Sequence, residues 1–417
     1  MRLEDFVPNF TLDDSVFAEA ARRFPTPFYL YDERGIRQAA RDVKAAFAWN
    51  TGFRQFYAVK ALPTPAILNL MLQEGSGLDC SSMTELLLAR RIGARGEDIM
   101  FSANAMPVSE LHFARELGAF INLDDISDVD RLILGGSVPQ MVLLRVNPGK
   151  YGAQRQGVMG RSLDAKFGML PTQALNALLK LKAQGMTAFG LHAMTDSNTL
   201  DIGYYISNAR YLFELGAALM RQSGLPLALV NLSGGIGIPY LPEEDPVDLA
   251  AVSKGIQREY ARVFSAREDI QLATELGRLI TGPSGWLVAR AIHKKEIWRN
   301  YVGLDASAAD LMRPAMYGAY HHISVLGKRG APTDKVYDVT GALCENNDKF
   351  AIQRRLPEIE IGDLLLIHDG GAHAHAMGYQ YNGRLRCAEV LYTMEGGFRL
   401  IRRAQTPEDY FQTMVFD

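Results

Sequence analysis

From about residue 50 to about residue 280 the chain alternates short apolar runs with stretches of helical period, beginning with QFYAVKA and TPAILNLMLQEG. MVLLRVNP, TAFGLHAMT, LALVNLSGG and QLATELG are further runs of the same kind, and between them lie amphipathic segments such as TELLLARRIG, VSELHFARELG and a long one through Leu212 and Leu219. Continuous apolar strands separated by helices predict a parallel sheet with helices covering it. The distinctive polar and glycine residues fall where apolar runs stop: Lys60, Ser197, Gly234 to Gly237, and Glu275 to Arg278. In a (β/α)8 barrel such strand ends build the active site. After about residue 284 the rhythm changes to strand-like runs with few helical patterns between them (WLVARAIHKKEIW, YVGLD, KVYDVTG, DLLLIHD, AEVLYTM, FRLIRRA), which predicts a second, all-β domain. No repeat, low-complexity tract or linker-like stretch separates the two parts, so they are expected to pack closely.

With 48% hydrophobic and 22% charged residues the composition is that of a globular chain with ample core. The net charge of -3, with no basic block, offers nothing to nucleic acid or to a membrane surface, and points to a small-molecule partner. No run of about 18 apolar residues occurs and the first residues, MRLEDFVPNF, are not leader-like, so a cytoplasmic protein is expected. Three cysteines (Cys80, Cys344, Cys387) do not make a disulfide framework. No histidine stands with a carboxylate at zinc-motif spacing, and no metal site is expected.

Each candidate motif has an ordinary reading beside a chemical one. Lys60 in FYAVKA is a strand-end lysine, commonly a surface residue. SGGIGIPY, from Ser233 to Tyr240, has glycines that free backbone N–H groups to close on an anion, yet glycine turns are common. ELGRLITGPSG supplies Glu275, Gly277 and Arg278, suited to charge recognition or to a structural ion pair. LMRPAMYGAYH and GALCENNDKF set Arg313, Tyr317, Cys344, Glu345 and Asp348 in polar clusters that could equally be surface loops.

Taken in order, the set resembles the fold-type III decarboxylases that use pyridoxal 5'-phosphate (PLP), and within them the diaminopimelate decarboxylase family. YAVKA around Lys60, GLDCSSMTEL from Gly77, GGIG from Gly234, ELGR from Glu275, LMRPAMYGAYH from Leu311, CENND from Cys344, and HDGGAH to YNGRLRCAEV carry the resemblance over nearly the whole chain. It implies a PLP-binding (β/α)8 TIM barrel over 34–283, with 1–33 and 284–417 forming a β-sandwich or β-barrel domain that completes the site. It further implies that Lys60 holds PLP, through an amine whose pKa its surroundings lower, and that Glu275 faces the pyridine nitrogen and keeps it protonated. Asp79, Met194, Ser197, Gly235, Ile236, Gly237, Gly277, Arg278, His373 and Tyr381 are the other implied cofactor contacts. Cys344 is the implied proton donor to Cα, from a segment that reaches the neighbouring subunit, so a homodimer with shared sites is expected; otherwise it is a buried small apolar residue. Arg278, Arg313, Tyr317 and Glu345 are the implied substrate contacts, the arginines for a distal carboxylate and Glu345 for an ammonium.

The chain departs from the family pattern at several places. GLHAMTDSN puts Met194 where the family stacks a histidine on the ring and Asp196 where it has a glycine, while HDGGAH puts His373 at a tyrosine position and Leu62-Pro63 replaces an asparagine-rich turn. Decarboxylation of meso-diaminopimelate to L-lysine is the first expectation. Decarboxylation of a modified diamino acid, such as a citrylated diamine in siderophore synthesis, is the second. Intact Lys60, Glu275 and Cys344 argue against a non-catalytic PLP-binding homologue, and a racemase would need a second base where Cys344 is expected.

Overall fold

The computed structural model describes residues 12–149, 163–194, 196–265, 267 and 269–416. The first eleven residues of the expected β domain therefore lie outside the described part. By compactness the chain divides into two units. One takes the described residues up to Gln38, Pro239–Asp245 and those from Ile280 onward; the other takes Ala39–Ile238 and Pro246–Leu279.

Strand β1 (Phe28–Asp32) belongs to the first unit, and the next eight strands close a parallel barrel in the second. These are β2 (Arg54–Ala58), β3 (Gly77–Cys80), β4 (Ile99–Ser102), β5 (Phe120–Leu123), β6 (Met141–Arg145), β7 (Ala188–His192), β8 (Leu227–Asn231) and β9 (Gln271–Leu276), with β9 pairing back onto β2. Phe56, Met100, Leu143 and Leu229 come from the alternate strands β2, β4, β6 and β8 and, with Ala273, fill the interior as one apolar layer. Gly190 on β7 makes room for it, because a Cβ there would stand 2.6 Å from Leu143 Cγ. The layer plugs the barrel and leaves polar side chains at the C-terminal strand ends. The strand runs named from the sequence account for β2, β6, β7, β8 and β9; β3, β4 and β5 are four residues each, too short for apolar periodicity to mark them.

The other unit carries β10 (Gly285–Glu296), β11 (Asn300–Leu304), β12 (Ile323–Val325), β13 (Lys335–Thr340), β14 (Lys349–Leu356), β15 (Leu364–Ile367), β16 (Ala388–Tyr392) and β17 (Phe398–Arg402). Its sheet runs β14-β13-β11-β10-β1-β16-β17, with β15 pairing β10 and β12. β1 lies antiparallel to β10 and parallel to β16, so an N-terminal strand sits inside the C-terminal sheet. The amphipathic helix Asp14–Arg23 covers its apolar face, where Phe17 meets Trp286 edge-on with ring centroids 5.3 Å apart. The six expected strand runs became β10, β11, β13, β15, β16 and β17; β12 and β14 are additional. No helix among the described residues is long and apolar enough to cross a membrane.

Candidate active site

Lys60 follows β2 in the short 3-10 turn Val59–Ala61 and points its amine at Asp79, the third residue of β3, with Nζ 2.8 Å from Oδ2. Asp79 is fully buried, whereas the Lys60 side chain is 43% exposed. Desolvation pulls the Lys60 pKa down, but the charges of Asp79 and Glu275 and the hydrogen bond to Asp79 outweigh it, and the net shift is upward. This runs against the expectation that the strand-end setting lowers this pKa: without cofactor, the neighbouring Asp79 and Glu275 favour the charged amine. Asp79 is itself pushed up to about 7, by burial first and then by Glu275, against the pull of Lys60. Among the described residues its Oδ1 has no hydrogen-bond partner, although it is buried.

Glu275, near the end of β9, accepts from Asn231 Nδ2 at 2.7 Å and from Ser102 Oγ at 3.0 Å on Oε1, while Oε2 is 3.0 Å from His192 Nε2. Burial works to raise its pKa, yet the His192 contact, Lys60 and Arg145 hold it well below the usual carboxylate range. Burial lowers the pKa of His192. Three donors around one carboxylate make the ionised form the stable one.

The loop after β8 lies against the end of β9. A Cβ on Gly234 would meet the Glu275 carbonyl oxygen at 2.2 Å, one on Gly277 would meet Ala61 Cβ at 2.6 Å, and Gly235 has φ +90° with the Asp196 carbonyl beside it. Glycine is required here because backbone must approach backbone. The Gly237 N–H is engaged by Thr199 O at 2.9 Å and the Gly235 carbonyl by Thr199 N at 3.0 Å, so Ile236 sits in a short bridge with its side chain buried. Ser233 Oγ lies 3.3 Å from Met194 Sδ, and Arg278 Nη2 is 3.3 Å from Ser197 Oγ. Within the barrel unit, then, Lys60, Asp79 and Glu275 gather at the strand ends, and Met194, Ser197, Arg278 and the glycine loop line up beside them.

The β unit holds the remaining candidates. Arg313, buried at the start of the helix Arg313–Tyr317, lies with its Cζ 4.5 Å from the centre of the Tyr240 ring and its Nη1 2.8 Å from His321 Nε2. His321 Nδ1 is 2.7 Å from the His368 carbonyl oxygen, which fixes the ring. Asp369 is pushed up to about 7 by burial, against the opposing charge of Arg313. Cys344 is exposed rather than buried, which removes the small-core-residue alternative; its N–H donates to Asn382 Oδ1 at 2.6 Å, tying the CENND and YNGR segments together. Glu345 is exposed and its Oε1 accepts from Asn347 N at 3.0 Å. Tyr317 and Tyr381 are exposed, and His373 is half-buried with φ +52°.

Sequence reasoning did not single out Ser102, Asn122, Arg145, His192 or Asn231 around Glu275, nor Tyr240, His321 or Asp369 around Arg313. The signal existed for Arg145, His192 and Asn231, each a polar residue closing an apolar strand run, the same rule that marked Lys60. The partners of Arg313 come from three separate segments and carry no such mark.

A model described as pyridoxal-dependent decarboxylase, pyridoxal binding domain, matches residues 33–282. The chain belongs to the PLP-dependent decarboxylases. The decarboxylase is 45% identical to Protein TabA of Pseudomonas amygdali pv. tabaci, over 94% of this chain and 92% of that one. It is 33% identical to diaminopimelate decarboxylase of Methanothermobacter thermautotrophicus, with the same coverage of both chains. Among solved structures, diaminopimelate decarboxylase from M. jannaschii in co-complex with L-lysine superimposes with a TM-score of 0.89 at 28% identity, covering 100% of this chain and 99% of that one. The enzyme is thus a PLP-dependent amino-acid decarboxylase, and its fold is the barrel plus sheet domain of that class. The barrel residues fit the cofactor. An amine sits beside a buried carboxylate with one unpartnered oxygen, a second carboxylate is held ionised by three neighbours, and a glycine loop admits no Cβ.

Proposed function

We propose that the enzyme decarboxylates meso-diaminopimelate to L-lysine and carbon dioxide. The observation that carries this reading is the buried Arg313 guanidinium, held against Tyr240 and His321, because a planar guanidinium in a desolvated site selects a second carboxylate on the substrate. Likeness to diaminopimelate decarboxylases over nearly the whole chain supports it. In this reading Lys60 holds PLP, Glu275 keeps the ring nitrogen protonated, and Gly235, Ile236, Gly277 and Ser197 hold the phosphate. Met194, Arg278, His373 and Tyr381 border the cofactor, while Gly237 shapes the loop rather than donating. PLP supplies an electron sink for the pair left when carbon dioxide departs. Arg278, Arg313, Tyr317 and Glu345 bind the far end of the substrate, and Cys344 Sγ returns a proton to Cα. In this reading Cys344 and Glu345, exposed on this chain, serve the site of a second copy in a homodimer.

A second reading, a modified diamino acid as substrate, is favoured by Met194, Asp196 and His373 standing at altered cofactor positions, and the identity to Protein TabA (45%) exceeds that to the diaminopimelate decarboxylase of Methanothermobacter thermautotrophicus (33%). Carbon dioxide release by the PLP-loaded enzyme from meso-diaminopimelate and from N-acylated or citrylated diamino acids tests both. Turnover on diaminopimelate, abolished together with the visible cofactor band in Lys60→Ala, is the expected result. Turnover confined to an acylated substrate would overturn the first reading in favour of the second.

A further inference from the structure

The Glu275 carboxylate ends a polar chain that crosses the barrel mouth. Asp124, just after β5, accepts from Arg145 Nη1 at 2.9 Å; Arg145 Nε, on β6, lies 3.1 Å from His192 Nδ1; and His192 Nε2, on β7, lies 3.0 Å from Glu275 Oε2 on β9. Arginine has only donors. Nδ1 of His192 must therefore present a lone pair to Arg145, the proton of the neutral ring sits on Nε2, and Nε2–H donates to Glu275. On the other oxygen, Asn231 and Ser102 donate, and the Ser102 hydroxyl accepts from Asn122 Nδ2 at 3.1 Å. A second proton on His192 would meet the Arg145 N–H head-on. A proton on Glu275 would displace one of three donors. Arg145 is itself aimed by Asp124, which also accepts from Asn104 Nδ2 at 2.8 Å and Gly168 N at 3.1 Å.

We propose that Arg145 and His192 are positioning residues for decarboxylation: Arg145 fixes the Nε2–H tautomer of His192, and His192 thereby holds Glu275 as an oriented carboxylate, the form that keeps a cofactor ring nitrogen protonated. The tautomer follows from the geometry alone; its consequence for catalysis rests on the reading of Glu275 as the partner of that nitrogen. The charged groups facing the relay are Lys60 after β2, Asp79 on β3, Asp124, Arg145 and Glu275, while β4, β5 and β8 contribute the neutral Ser102, Asn122 and Asn231. Burial disfavours a charged His192 as well.

Nitrogen-15 NMR of histidine-labelled full-length protein, with and without PLP, reads the tautomer directly. The ring whose signals vanish in His192→Gln, or shift in Arg145→Lys should that variant not fold, is expected to be neutral with its proton on Nε2 at about pH 7.5. A proton on Nδ1, or double protonation at that pH, overturns the relay. In the loaded enzyme, His192→Gln keeps an amide donor and is expected to retain PLP within about threefold of wild type, whereas His192→Leu loses about tenfold or more and shifts the pH titration of the visible cofactor band. Equal retention and an identical titration in His192→Leu would remove the link to Glu275. Failure of diaminopimelate turnover with the NMR result intact would sink only the substrate assignment.

Discussion

Arg313 and Lys60 show how differently two basic residues are used in one enzyme. Arg313 is buried, stacked on Tyr240 and bonded to His321, so its position is set before any ligand arrives. Replacing it with Met keeps the length and removes the fork. If it meets a distal carboxylate, a charge-assisted contact worth ~1.5–3 kcal/mol is lost, and the KM for diaminopimelate rises about 10- to 100-fold with kcat less affected. Steady-state kinetics on purified Arg313→Met check this; an unchanged KM would assign the residue to another substrate or to the fold. Lys60 is held instead by charge, paired with Asp79 on a half-exposed stem. Its pKa is raised in the cofactor-free chain, so if Lys60 holds PLP as proposed it must first give up a proton, and Asp79, whose own pKa is pushed up to about 7, is the adjacent acceptor.

Elements meet closely where the turns after β2 and β9 touch. The Lys60 turn packs on the residue after β9, and a methyl on Gly277 would stand 2.6 Å from Ala61 Cβ and 3.2 Å from Ala58 Cβ. Neither alanine is the end of a flexible side chain, so the backbone turn itself must shift. Gly277→Ala is expected to cost ~1–3 kcal/mol of stability by overpacking, and to weaken PLP retention in equilibrium dialysis because the turn that moves carries Lys60. Wild-type retention in Gly277→Ala would show that the two turns yield independently. The same elements explain what pattern reading found. FYAVKA and ELGR are legible as strand ends because apolar runs stop there, whereas β3, β4 and β5 are four-residue strands that alternation cannot mark. The role of Gly277 was legible as a motif, but the partner that demands a glycine lies more than two hundred residues away.

At the scale of the whole molecule, stability and assembly each give a test. His375 is pushed down to about 4 by burial, with Arg386 and Arg402 acting the same way and Glu389 opposing. Its folded pKa lies below the unfolded value, so the unfolded chain binds the extra proton between about pH 4 and 6.5, and stability is lost as pH falls through that window. Asp310, raised to about 6 by burial, works in the opposite sense, so the informative quantity is the difference between variant and wild type. Urea unfolding of His375→Gln is expected to show a pH slope shallower by up to ~1.4 kcal/mol per pH unit there; parallel curves would mean His375 titrates alike in both states. If two copies share sites, mixing inactive Lys60→Ala and Cys344→Ala proteins should restore about a quarter of wild-type activity, since half the dimers are hybrids with one intact site of two. No recovery after confirmed subunit exchange would count against the shared site. The amino-acid sequence by itself determined the class of both units, the strand-end lysine motif, the glycine loop and the family, because periodicity and local motifs are properties of neighbouring residues. Only the tertiary structure decided that β1 enters the C-terminal sheet, that the Lys60 amine pairs with Asp79, that Gly237 is engaged by Thr199, and that Arg145 and His192 stand behind Glu275. Those facts depend on distances between residues far apart in the chain, which closure of the barrel and pairing of distant strands create.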